Sequence, residues 1–267
     1  MKKLKTIAGL AIITLLCSFV VYEMNNYRFI PNNVFFPGEV INYRVHFGFI
    51  DAGVAEMVIS DELEYINGRA CHKIDVHGKS TGMFDFFMHL DDLWSTYLDT
   101  AAIIPHRFYR ILEEGNFKKY EIVDYDHLNK KVIVKNYSYK RKYWVGPEEF
   151  DIPVNAHDMV SGYYFTRLID FDTLSPGDIL NIPGFLEDKV YHLQVRYLGK
   201  ERLKTKIGTM SALVMSPIVP ENTLFDGENS IKFWLSDDEK KLPLKIRAAM
   251  FLGAVEVDIT DYKPGRN

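Results

Sequence analysis

Residues 40–47 alternate in side-chain character, and this pattern constrains the fold more than any other feature of the chain. Ile41, Tyr43, Val45 and Phe47 share one parity, while Val40, Asn42, Arg44 and His46 share the other. A strand sends successive side chains to opposite faces, so a period of two reads as a half-buried strand. Gly48 to Gly53, with Asp51 between the glycines, supplies a turn. Val54–Ile59 then returns as the second strand of a hairpin.

The pattern recurs along the chain. Asn67-Gly68 marks a turn, and Cys71–Thr81, Asp92–Leu98, Arg107–Glu113, Lys118–Tyr125, Lys131–Tyr139 and Lys142–Trp144 read as strands. Further on come Ile179–Ile182, Val190–Leu198, Glu201–Thr205, Ser211–Met215 and Ser230–Leu235. A last hairpin joins Leu244–Met250 to Val255–Tyr262 through Phe251-Leu252-Gly253. Short strands at close spacing predict an all-β fold, an antiparallel barrel-like or strongly curved sheet. Aromatic residues at 14%, mostly Phe and Tyr, suit strands with large apolar faces.

One segment breaks the period of two. Asp158 is a good N-cap, and Met159, Tyr163, Tyr164, Leu168 and Phe171 follow as an apolar stripe, which predicts one central helix over about 158–171. Gly82–His89 is dense in Met83, Phe84, Phe86, Phe87 and Met88, and reads as a short helix or an irregular plug. No repeat or composition break divides residues 37–262, so they are read as a single β-rich domain. Residues 23–36 form an extended lead-in and 263–267 a tail.

Lys2, Lys3 and Lys5 precede an apolar run from Ile7 to Tyr22, the layout of a secretory signal. As a helix the run spans about 24 Å, a little short of the ~30 Å hydrocarbon core. Residues 1–22 are therefore a signal peptide or a retained anchor, and both readings place the body outside the cytoplasm, in the periplasm or cell envelope. Membrane contact is expected only through residues 7–22, if they are retained. Leu16 before Cys17 is too large for a lipoprotein signal. Beyond residue 22 the chain carries 29 basic and 36 acidic residues, a net charge of −7. An acidic body excludes nucleic acid as the main partner. Cys71 is then the one remaining cysteine, so no internal disulfide forms, and it reads as a small buried residue.

Several stretches together resemble the DUF3108 family of exported bacterial proteins. They are Pro37-Gly38-Glu39 with Tyr43; Gly48 to Gly53; Asp158 to Tyr164 with Arg167; Gly208-Thr209; Phe233 to Asp238; and Leu242-Pro243-Leu244. The resemblance runs in order over roughly residues 36–262. It implies a β-rich, barrel-like body in the bacterial envelope, and it implies no catalytic residue, because the family has no assigned function.

The candidate ligand-binding residues are Tyr163, Tyr164, Arg167 and Trp234. Arg167 has the fork geometry to hold a carboxylate or phosphate, with a tyrosine beside it. The competing reading is a capped helix whose arginine pairs with a sheet acid and whose tyrosines pack. Trp234 has the same choice between ligand platform and core. His157, Asp158 and Ser161 invite comparison with a hydrolase triad, but no strained G-x-S-x-G turn is present. Cys71, Asp75 and His77 share a strand face without a fourth ligand. No metal and no cofactor is expected.

The leading functional expectation is a non-enzymatic envelope protein holding a lipid or other apolar small molecule. A second is an assembly protein docking an envelope partner. A third is a glycan or lipid hydrolase using a carboxylate pair among Asp91, Asp92, Asp237 and Asp238.

Overall fold

The computed structural model describes residues 27–218, 229–250 and 253–266. The expected signal or anchor, the start of the lead-in and Phe251-Leu252 of the last turn lie outside these residues.

The strands are β1 (Val40–Phe47), β2 (Ile50–Ile66), β3 (Arg69–Ser80), β4 (Leu90–Asp99), β5 (Pro105–Glu114), β6 (Phe117–Asp126) and β7 (Lys131–Ser138). They continue as β8 (Tyr143–Asp151), β9 (Ile179–Leu186), β10 (Lys189–Thr205), β11 (Gly208–Pro217), β12 (Ile231–Ser236), β13 (Pro243–Met250) and β14 (Gly253–Lys263). All join one 14-stranded sheet in the order β8-β7-β6-β5-β4-β3-β2-β1-β14-β13-β12-β11-β10-β9. Each neighbouring pair is antiparallel. The first and last strands are therefore partners at the middle of the sheet, from Val40 opposite Lys263 to Phe47 opposite Val255.

The period of two finds the strands but underestimates their length. The expected turn over residues 48–53 shrinks to Gly48-Phe49, because β2 already pairs with β1 at Ile50. Val190–Leu198 and Glu201–Thr205 are one strand, β10, interrupted by a register shift between Tyr197 and Gly199. Gly199 has a positive φ of 103°, a conformation open to glycine. The short segment at 142–144 is the beginning of β8, which runs on to Asp151.

Among the described residues two α-helices interrupt the strands, α1 (Gly82–Phe87) and α2 (Met159–Thr166). The central helix is shorter than predicted. Its last turn tightens, with Arg167 and Leu168 donating to carbonyls three residues back. Phe171–Thr173 is a separate 3-10 turn capped by Asp170. Met159, expected on the apolar stripe, is exposed, while Val160, Ser161, Tyr164 and Thr166 face inward.

The sheet curls around α2. One buried cluster gathers Ile41 of β1, Ile74 of β3, Phe108 of β5, Val132 of β7, Val214 of β11, Leu244 of β13 and Ile259 of β14 with Val160 and Tyr164 of α2. Side chains from strands so far apart in the sheet meet only if it is strongly bent. The sheet stays open, since β8 and β9 do not pair with each other. Phe150 of β8 and Phe185 of β9 close the gap with rings 5.4 Å apart. His157 extends the β9 edge by donating to Pro183 O at 2.8 Å and accepting from Phe185 N at 2.9 Å.

Antiparallel pairing sorts the connections between two ends. The β1–β2, β3–β4, β5–β6, β7–β8 and β9–β10 connections lie at one end, called the rim below. The lead-in and the β2–β3, β4–β5 and β6–β7 turns lie at the other.

Candidate functional site

The inward side of the sheet carries more polar structure than an ordinary β core. Asp158 caps α2: its Oδ1 accepts from Val160 N at 2.8 Å and Ser161 N at 2.9 Å, while Thr96 Oγ1 donates to Oδ2 at 2.7 Å. Ser161 Oγ returns the favour by accepting from Asp158 N at 3.0 Å, which completes a capping box. Burial nevertheless pushes the Asp158 carboxyl up to about 6, against these hydrogen bonds.

At the far end of α2, Arg167 donates through Nη1 and Nη2 to both oxygens of Glu39, at 2.6 and 3.0 Å, and through Nη2 to Lys240 O at 3.0 Å. Both side chains are sealed from solvent. The arginine stacks over Tyr164 at 5.1 Å and Phe35 at 5.4 Å. The fork that a ligand would need is directed at an internal carboxylate just before β1. Tyr164 is fully buried, and Tyr163 packs toward Phe233, ring centroids 6.3 Å apart. Trp234 joins the core and donates Nε1 to Glu201 Oε1 at 2.7 Å. The structure thus gathers Tyr163, Tyr164 and Arg167 around α2, with Trp234 in the same cluster but bonded elsewhere.

The His157–Ser161 contact has the wrong polarity for nucleophile activation. Arg28 Nη2 lies 3.0 Å from His157 Nε2 and can only donate, so Nε2 accepts and the ring proton is on Nδ1. Nδ1 faces Ser161 Oγ at 3.2 Å, so the histidine donates to the hydroxyl it would have to deprotonate. Burial and the Arg28 charge hold His157 well below its ordinary value.

A second buried network lies at the end opposite the rim. Asp99 receives Arg69 Nε at 2.6 Å, Arg69 Nη2 at 3.1 Å, His106 Nε2 at 3.0 Å and the amides of Ala101 and Ala102 at 2.8 Å. Despite the opposing effect of burial, these donors hold its carboxyl well below the usual range. His127, stacked on Tyr125, bonds Pro105 O at 2.6 Å and is pushed by burial down to about 4.

The nominated acids each have partners of their own within the protein. Asp91 bonds His77 Nε2 at 2.6 Å, and Asp92, its neighbour on β4, accepts from Glu113 N at 3.1 Å. Asp237 takes Lys200 at 2.9 Å and Ser211 at 3.0 Å, whereas Asp238 bonds Ser236 at 2.7 Å and turn amides. Cys71 is buried, with its thiol pushed by burial up to about 12, and bonds Arg69 O. Asp75 and His77 have other partners, Lys73 and Asp91. Among the described residues, His46, Glu256 and Asp258 have metal-ligand spacing. Lys245 already lies between the two acids, 2.6 and 3.0 Å from them.

The feature that sequence reasoning left open lies at the rim. None of α1 is buried. Phe86 and Phe87 are 86% and 79% exposed, Met83 is 77% exposed, and Phe49 of the neighbouring turn reaches 93%. The segment is a helix, not a plug. Two clefts mark the surface of the described residues. One, of about 530 Å³, is lined by Glu56, Asp75, Asp91 and Glu113 together with His77, Val58, Leu93 and Ile111. The other, of about 750 Å³, lies between the lead-in, Leu63 and His72.

The family model described as protein of unknown function (DUF3108) matches residues 42–260. No curated protein matches the sequence. Among solved structures, the chain is similar to a β-barrel-like protein of the DUF1849 domain of unknown function from Brucella abortus. That likeness has a TM-score of 0.54 at 10% identity, and covers 87% of this chain and 100% of that one. A Bacteroides fragilis protein of YmcC-like fold has a TM-score of 0.38 at 10% identity, over 89% of this chain and 99% of that one.

Proposed function

The chain belongs to the DUF3108 family, and we propose that it is a non-enzymatic protein of the bacterial envelope that binds a lipid or other apolar ligand. The observation that carries this reading is the uncovered α1, whose Met83, Phe86 and Phe87 stand in solvent with the following Met88 at the mouth of a curved sheet. Apolar side chains concentrated in this way mark a surface that is covered during function. Methionine adapts its shape to irregular apolar partners. The basic and apolar N-terminus supports delivery to the periplasm or envelope.

Native mass spectrometry of the full chain, purified gently from the envelope, tests the proposal. A co-purifying lipid mass released on denaturation is expected, and Phe86→Ser with Phe87→Ser should deplete it. An apo mass, with no uptake of a fluorescent fatty acid by the folded protein, would overturn it.

A second reading, docking of an envelope protein, is favoured by one observation. The edge strand β8 is exposed along most of its length and leaves one side of its backbone unpaired by another strand. Such an edge accepts an added strand. Cross-linking from β8 to one defined partner would support this reading.

A further inference from the structure

We infer that the rim docks on an anionic phospholipid surface, with the β7–β8 turn as its electrostatic contact. This goes beyond binding of a single ligand, and it is additional to any contact through residues 7–22.

The turn reads Tyr139-Lys140-Arg141-Lys142-Tyr143-Trp144, and every one of these residues is exposed. The backbone holds it firmly, with Lys142 N donating to Ser138 O at 2.6 Å and Arg141 N to Ser138 Oγ at 3.3 Å. Trp144 is propped on Tyr120 and Tyr137, with ring centroids 4.7 and 5.5 Å away. Tyr, Trp, Lys and Arg presented together are the residues that settle at a bilayer interface, aromatic bodies at headgroup depth and cations against phosphate.

Charge selects the partner. Several acids on this end are paired with cations within the protein: Asp51 with Arg44, Glu113 with Lys118 at 2.7 Å and Glu187 with Arg110 at 3.3 Å, while Asp85 bonds His89 at 2.9 Å. Among the described residues, Lys140, Arg141 and Lys142 have no acid within ion-pair distance, and Arg141 donates to Tyr143 Oη at 2.8 Å. Three unneutralised cations therefore face outward from an otherwise acidic body. The β3–β4 and β5–β6 connections at the same end add Met83, Phe86, Phe87 and Phe117. A nucleic acid would satisfy the cations and leave these apolar groups in water, whereas a bilayer satisfies both.

The test uses full-length protein and vesicles whose acyl chains carry bromine near the headgroups. Phosphatidylglycerol vesicles are expected to quench Trp144 fluorescence, and Trp144→Phe should abolish the quenching, because Trp234 is buried and Trp94 packs inward. The charge-reversed chain K140E/R141E/K142E should need at least about a hundredfold more lipid for the same quenching, at about fivefold for each cation lost before the repulsion of the added acids. About 0.5 M salt should reverse the Trp144 quenching of the wild type. Circular dichroism confirms that the exposed substitutions leave the sheet intact. Equal quenching by neutral phosphatidylcholine vesicles, binding without Trp144 quenching, or an unchanged charge-reversed chain would each overturn the inference.

Discussion

Arg167 and Glu39 lie 128 residues apart in sequence and meet as a two-point ion pair with no solvent access. The contact ties the C-terminal end of α2 to the residue before β1, and it accounts for two of the stretches that carry the family resemblance. Glu39 is itself fixed, because Ile59 donates its amide to Glu39 O at 2.9 Å. The helix is thereby pinned to the centre of the sheet.

Removing one partner leaves the other charge buried and uncompensated. Glu39→Gln or Arg167→Met should each destabilise the protein by about 3–5 kcal/mol in urea unfolding. Glu39→Leu combined with Arg167→Met should lose less than the two single changes summed, since neither charge is then stranded. A single-variant loss below about 1 kcal/mol would show that the pair is wet.

His127 makes stability depend on acid. Its folded value of about 4 lies below the ordinary 6.5, so the fold keeps the ring neutral. The contribution is complete above pH 6.5 and declines as pH falls toward 4, because the unfolded chain takes up a proton that the folded one lacks. His127→Gln should flatten unfolding free energy between about pH 7 and pH 5 by about 2 kcal/mol. An identical slope in wild type and variant would count against the assignment.

Asp158 works in the opposite direction. Its folded value of about 6 exceeds the ordinary 3.8, so the fold favours the protonated acid. The contribution is complete below pH 3.8 and lost as pH rises through about 6. Asp158→Asn keeps an N-cap acceptor and removes the buried charge. At neutral pH it should therefore stabilise the protein by about 2–3 kcal/mol, with the gain vanishing below about pH 4. Thermal melts across that range decide the matter.

Gly53 tests why a glycine ends the motif that opens β2. A Cβ there would lie 2.4 Å from Lys79 O on β3, and a backbone carbonyl has nowhere to go. Gly53→Ala should cost about 1–3 kcal/mol. Gly78, with no atom within 4 Å of its Cβ position, serves as the control, and Gly78→Ala should be tolerated.

The strands were legible because their burial repeats with the same period as their geometry, as in Ile41 and Tyr43 of β1 or Phe108 and Leu112 of β5. The capping role of Asp158 was legible from its place before an apolar stripe, and the structural reading of Arg167 already called for a sheet acid. That the acid is Glu39 was not legible, since nothing local links positions so far apart. Composition also failed at α1, where Met and Phe suggest core and the chain instead presents them to water. Lys140 to Trp144 could have been noticed as a basic turn flanked by aromatics. That its charges are unopposed emerges only when the neighbouring hairpins are in place.

The pairing of β1 with β14 has a consequence for the order of assembly. Synthesis delivers β1 first and β14 last, so the strip of backbone along one side of β1 waits for nearly the whole chain before it finds its mate. Until then the early half can zip together from β1 to β8, yet it carries a bare edge able to recruit a stranger. The eleven residues of β14 are in this sense a keystone. Truncating within Gly253–Lys263 would leave the two flanks of the sheet with no shared strand and an adhesive margin at the heart of the protein.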